Sequence, residues 1–157
     1  MTTTLPDPAS NLAEEQQVVQ SLLALLQREQ TRLMATGIDG LPEMTVEKNT
    51  LINRMAVLGR ARYAALAAVA HDADENGMRA WLEQGPHHAA QRLWTDLRTQ
   101  AEAARELNRT NGLLIGKRLA HNQAALNVLQ GSAAGGNFYG PDGQSTSRSS
   151  NHRLIVG

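Results

Sequence analysis

Between Pro86 and Gln130 the chain reads PHHAAQRLWTDLRTQAEAARELNRTNGLLIGKRLAHNQAALNVLQ. Within it Ala90, Trp94, Leu97, Ala101, Ala104, Asn108, Asn111, Ile115, Leu119, Asn122, Leu126 and Leu129 follow one another at steps of three or four. That spacing holds them on one face of an α-helix. Two successive steps of four, Asn111–Ile115–Leu119, resemble a stutter in a heptad pattern. Asn111-Gly112 is also a common turn dipeptide. The seam keeps phase across it, so one continuous helix over about 86–130 is expected, roughly 67 Å long at 1.5 Å per residue. Gly112 and Gly116, four apart, leave room for a neighbouring backbone.

Two further long helices precede it. The first is expected from Pro8 to Ala35, with Asp7 as cap and Pro8 in the first turn. Its apolar face holds Leu12, Val19, Leu22, Leu26 and Leu33, widened by Leu23 and Leu25. Thr36-Gly37-Ile38-Asp39-Gly40 breaks it. The second is expected from Pro42 to Ala70, along a seam of Met44, Lys48, Leu51, Met55, Leu58, Arg62, Ala65 and Val69. A short helix near Met78–Glu83 follows an acidic junction, where Asp72 and Glu75 have capping-box spacing. Residues 131–157, with six Gly, five Ser and Pro141, hold too little apolar surface to offset ordering entropy and read as a flexible tail. The expected architecture is all-α: an antiparallel long-helix bundle of three long helices and one short one over residues 1–130, then the tail.

Composition narrows the class of function. The 157 residues are 41% hydrophobic with a formal net charge of zero, and only Tyr63, Trp81, Trp94, Phe138 and Tyr139 are aromatic. A neutral chain lacks the basic face of a general nucleic-acid binder. Without cysteine there is neither disulfide nor thiolate metal site. No apolar run approaches the ~18 residues of a membrane span, and Met1–Pro6 lacks the pattern of a signal peptide. A cytoplasmic protein without membrane insertion is the expectation. Charge is uneven: residues 72–85 carry net −3 and residues 86–130 net +3.

Catalytic chemistry finds no support. The serines cluster in the tail, without a nucleophile elbow or phosphate-binding loop. His87 and His88 are adjacent and diverge on a helix, so they cannot clamp one metal as an i, i+4 pair would. His71-Asp72-Ala73-Asp74-Glu75 reads as a charged helix junction. A non-enzyme without metal or cofactor is expected.

Asn108, Asn111 and Asn122 lie in phase with the apolar seam, and two readings of them stand. They set register between packed helices, as a buried Asn does in coiled coils. Alternatively the seam is vacant in the free protein, and the amides tolerate water until a partner fills it. Helix length bears on the choice. The first two helices, about 28–30 residues each, cover only about two-thirds of the third. If all three align at Pro86, Leu119, Leu126, Val128 and Leu129 overhang. Exposed apolar stripes of that size mark interaction sites, and an amphipathic helix would fit one. A constitutively oligomeric coiled-coil or adaptor protein is the competing class, its seam closed by its own copies. The tail's Leu154-Ile155-Val156 is a further candidate occupant.

The segments Asn108-Arg109-Thr110-Asn111-Gly112, Asn122-Gln123-Ala124-Ala125-Leu126 and Tyr139-Gly140-Pro141-Asp142-Gly143-Gln144 resemble, in order and spacing, the C-terminal half of the FlgN flagellar export chaperones. Upstream, Leu22–Leu33 and Glu47–Leu51 resemble that family's N-terminal half more loosely. The resemblance implies a cytosolic all-α chaperone. It would bind the C-terminal amphipathic helices of hook–filament junction proteins and deliver them to the flagellar type III export apparatus. Carried onto this chain, it implies client contacts at Asn108, Asn111, Leu114, Ile115, Leu119, Asn122, Leu126 and Leu129. It further implies docking on an export-gate component through Tyr139, with Phe138 beside it. Homo-oligomerisation is left open.

Overall fold

The computed structural model describes residues 4–35 and 39–135, with side chains as far as residue 131. Four helices follow in order: α1 (Leu12–Met34), α2 (Leu41–Ala68), α3 (Glu75–Glu83) and α4 (His88–Gly135). The all-α expectation of three long helices and one short one is met. The chain divides into two units, Met1–Ile115 and Gly116–Gly157, and α4 contributes to both.

Local chemistry sets the helix ends, some of them away from the expected positions. Asp7 does not start α1. Its Oδ1 accepts the Ala9 N–H at 2.8 Å and its carbonyl the Ser10 N–H at 3.1 Å, closing a separate turn before Leu12. Gly40 caps α2 with φ +82°, a left-handed conformation that suits glycine, and Pro42 sits in the first turn. α2 stops at Ala68 because Ala70 turns left-handed, with φ +63°. The His71 N–H then reaches back to the Leu66 carbonyl at 2.9 Å, and the Ala70 N–H to Ala67 at 3.1 Å. This is a Schellman motif with alanine where glycine is usual. At α3 the cap is Asp74 rather than Asp72. Its Oδ1 accepts the Gly77 N–H at 2.7 Å. Gly77 is required there, since a Cβ would stand 1.8 Å from the Asp72 carbonyl oxygen. α4 runs unbroken through Asn111-Gly112.

In the first unit the apolar seams meet. Leu12, Val19, Leu22 and Leu26 of α1 form the core with Leu66 of α2, Met78 and Leu82 of α3, and Trp94, Leu97 and Ala104 of α4. Cross-helix pairs give the directions. Glu15 meets Arg62 and Glu29 meets Lys48, so α1 and α2 are antiparallel. Arg62 also lies over the Trp94 ring and Lys48 bonds Asn108, so α4 runs against α2 and along α1. The short α3 closes one end. There the Leu82 carbonyl accepts from Gln91 Nε2 at 3.2 Å, and Trp81 stacks on His87 with ring centroids 4.0 Å apart. No helix among the described residues is long and apolar enough to cross a membrane.

Candidate partner-binding face

The periodic seam of α4 changes character along its length. Trp94, Leu97 and Ala104 are buried in the core of the first unit. Asn108 is exposed, and its Oδ1 accepts a hydrogen bond from Lys48 Nζ at 3.2 Å. Asn111 is 0% exposed. Its Nδ2 donates to the Leu26 carbonyl at 2.8 Å and to Glu29 Oε1 at 3.0 Å. Glu29 is itself buried and holds Lys48 Nζ at 2.8 Å. Thus one four-residue polar cluster ties three helices together. In this conformation Asn111 is used internally, the behaviour of a register-setting amide.

Beyond this cluster cover falls away. Leu114 and Ile115 are half-buried. In the second unit Leu119 is 64% exposed, Leu126 50% and Leu129 66%, and Asn122 is exposed with them. Val128 is exposed too, as is Leu113 of the first unit, which lies off the three-four seam and was not anticipated. A Cβ added at Gly112 or Gly116 would meet nothing within 4 Å, so no backbone among the described residues uses the space these glycines leave. The structure therefore splits the eight expected client contacts: Asn108 and Asn111 join the polar cluster, Leu114 and Ile115 are half-buried, and Leu119, Asn122, Leu126 and Leu129 face outward. Phe138, Tyr139 and Leu154–Val156 lie outside the described residues.

A second polar element also escapes a purely apolar reading of α1. Arg62 is buried against Glu15, Nε to Oε1 at 3.1 Å and Nη2 to Oε2 at 3.3 Å. Its guanidinium lies 4.6 Å from the Trp94 ring centroid and 4.9 Å from that of Tyr63. A signal for it existed. Glu15 and Glu29 fall in step with Leu12, Val19, Leu22, Leu26 and Leu33, fourteen residues apart. Lys48 and Arg62 are fourteen apart in the opposing seam, and the two pairs mate in antiparallel register.

Among the described residues no group of three His, Asp or Glu side chains is placed to hold a metal ion. A groove of about 870 Å³ runs along α4 from Trp94 to Glu106, but Arg98, Glu102, Arg105 and Glu106 edge it with both signs of charge. At its end Arg109 forks onto Glu106 at 2.6 Å and 2.9 Å. That hydrogen bond, aided by the positive charge, holds the Glu106 carboxyl below its ordinary value and raises that of Arg109. What remains as a binding feature among the described residues is the exposed apolar face of α4 at Leu119, Leu126, Val128 and Leu129.

The sequence profile described as FlgN protein matches residues 1–147. This chain belongs to the FlgN family. Relatives from Yersinia enterocolitica, one of them from serotype O:8 / biotype 1B, bear the name Flagella synthesis protein FlgN. Each is 29% identical over 136 residues, covering 85% of this chain and 86% of the relative. No solved structure matches the chain. The FlgN match spans all four helices, so α1, α2 and α3 belong to the family's architecture along with the motif-bearing α4.

Proposed function

We propose that this FlgN-family protein is a flagellar export chaperone. Its client is the C-terminal amphipathic helix of a hook–filament junction protein, seated on the distal face of α4. The observation that carries the reading is the seam itself. It keeps helical period past Ile115, yet Leu119, Leu126 and Leu129 stand half or more exposed. Family membership and the relatives' role in flagella synthesis supply the setting. In this scheme Glu29, Lys48, Asn108 and Asn111 anchor α4 to the hairpin, Leu114 and Ile115 form the transition, and Leu119, Asn122, Leu126 and Leu129 meet the client.

The mechanism rests on coupled folding. A disordered client end becomes helical only when its apolar side is covered, so binding and ordering occur together. Each leucine fully withdrawn from water contributes about 1.5–3 kcal/mol. Ordering the client costs about 2–5 kcal/mol or more. The difference leaves a complex that holds a subunit against premature assembly and still releases it. Phe138 and Tyr139 supply the second contact in this scheme, on a component of the export gate.

Calorimetric titration of the full chain with C-terminal peptides of hook–filament junction proteins tests the proposal. Leu126→Asp is expected to abolish binding with far-UV helicity retained. Normal binding by a folded Leu126→Asp protein removes this face from the account. Tyr139→Ala is expected to leave peptide affinity unchanged and to weaken co-purification with the export gate. Loss of both together would merge the two sites into one.

A further inference from the structure

The exposed stripe lies within reach of an apolar segment of the same chain. α4 stops at Gly135. Counted back along the helix at 1.5 Å per residue, Leu129 lies about 9 Å, Leu126 about 13 Å and Leu119 about 24 Å from its end. An extended chain spans at most about 3.3–3.6 Å per residue, so nothing before about residue 142 can fold back as far as Leu119. Phe138 and Tyr139 therefore stand too near the helix end to cover the whole stripe. From Asp142 to Gly157 the apolar side chains are Leu154, Ile155 and Val156. Leu154 follows Gly135 by nineteen residues, across a linker rich in Gly and Ser. For that composition the root-mean-square span is about 5–6 Å times the square root of the residue count, or about 24 Å. The span matches the gap to the far end of the stripe.

We propose that the free protein exchanges between the open stripe described above and a closed state in which residues 154–156 lie on it. A client must then displace the protein's own segment. The displacement rests on the chaperone reading, whereas the contact itself does not. All its parts belong to the second unit, Gly116–Gly157. In extended form residues 154 and 156 point the same way, about 6.8 Å apart. The three leucines extend over about 15 Å of helix, so the segment covers two of them at a time. A client helix covering all three outcompetes it. Asn122 is exposed between Leu119 and Leu126, and the segment's backbone offers its amide donors and acceptors. Reach also favours this occupant over a second copy. A tethered segment whose span matches its site is present at an effective concentration in the millimolar range, about a thousandfold above a micromolar solution of the protein. A contact with a dissociation constant on the order of 1 mM is then closed about half to two-thirds of the time, and raises the client's apparent Kd about two- to threefold.

The test needs one labelling site, and the chain has no cysteine of its own. A nitroxide on Ser150→Cys is read through the methyl signals of Leu119, Leu126 and Leu129. Broadening of these signals is expected, and is expected to weaken when Leu154→Ser/Ile155→Ser/Val156→Ser is added. Equal broadening in the triple-serine chain overturns the contact. Broadening carried over to an unlabelled chain mixed with the nitroxide chain assigns the segment to a second copy and overturns the closed state. Calorimetric titration with C-terminal peptides of junction proteins is expected to give the triple-serine chain a Kd about two- to threefold lower than the parent. Equal Kd values overturn the displacement. Normal peptide binding by Leu126→Asp overturns the chaperone face, while the nitroxide result still decides the contact.

Discussion

The two ends of α4 share one pattern and have opposite surroundings. From Trp94 to Asn111 its seam is pressed against α1, α2 and α3, and Leu97 and Ala104 are almost wholly buried. From Leu119 to Leu129 the same three-four spacing faces solvent. Periodicity specifies which side chains share a face. It does not specify whether anything covers that face. The comparison also extends to charge. Proximally, cations meet carboxylates across helices, whereas the composition of residues 110–131 includes Lys117 and Arg118 but neither Asp nor Glu.

The sharpest way to break the comparison is to place the same change in each half. Leu97→Asp is expected to cost at least about 4 kcal/mol, since it strands a charge in the core. Leu126→Asp is expected to stay within about 0.5 kcal/mol, as surface changes do. Urea unfolding followed by circular dichroism reads both. A large loss at Leu126 would mean that the distal stripe is covered in solution.

Next in size is the buried pair. Arg62→Ala is expected to cost about 3–5 kcal/mol by leaving Glu15 charged and unpaired. The double change Glu15→Leu/Arg62→Leu should recover most of that loss, showing that the pair selects register more than it stabilises. Smaller again is Asn111→Ala, at about 1–3 kcal/mol for the hydrogen bonds to Leu26 and Glu29. Its sharper readout is hydrogen exchange, where amides near residues 108–115 should lose protection while those near Trp94 keep theirs. In the opposite direction, Ala70→Gly is expected to raise the unfolding free energy by about 0.5–1 kcal/mol, because Ala70 holds a left-handed conformation (φ +63°) that glycine adopts without strain.

The smallest effect belongs to the exposed Glu106–Arg109 pair. Glu106 has a carboxyl held below its ordinary value of 4.5, chiefly by the Arg109 hydrogen bond. A depressed acid stabilises above its unfolded value, and the contribution fades as pH falls through the folded one. Glu106→Gln should therefore leave the unfolding midpoint unchanged at pH 7 within error and slightly flatten its decline below pH 4.5. A large effect at either pH would mean that this pair is covered by something in solution.

Much of this architecture was legible in the sequence because helices are local. The seam from Met44 to Val69 turned inward as its spacing required, with Lys48 and Arg62 included. The reach of α4 through Asn111-Gly112 followed from unbroken phase. Legible but overlooked were Glu15 and Glu29, in step with the leucines and spaced to match Lys48 and Arg62. Helix ends were less legible, since Asp72, Asp74 and Asp7 all have capping chemistry. Which one acts depends on backbone geometry a few residues away.

Sequence alone determined the number and kind of helices, their inward faces, and the want of carboxylates between Glu106 and Asp142. Each follows from residue identity and a fixed 3.6-residue turn. Tertiary structure alone decided that Asn111 is spent on Leu26 and Glu29 while Leu119, Leu126 and Leu129 remain uncovered. The reason is that burial is a property of neighbours. Whether a seam is core or surface depends on where the opposing helices stop, and no periodicity within the seam records that.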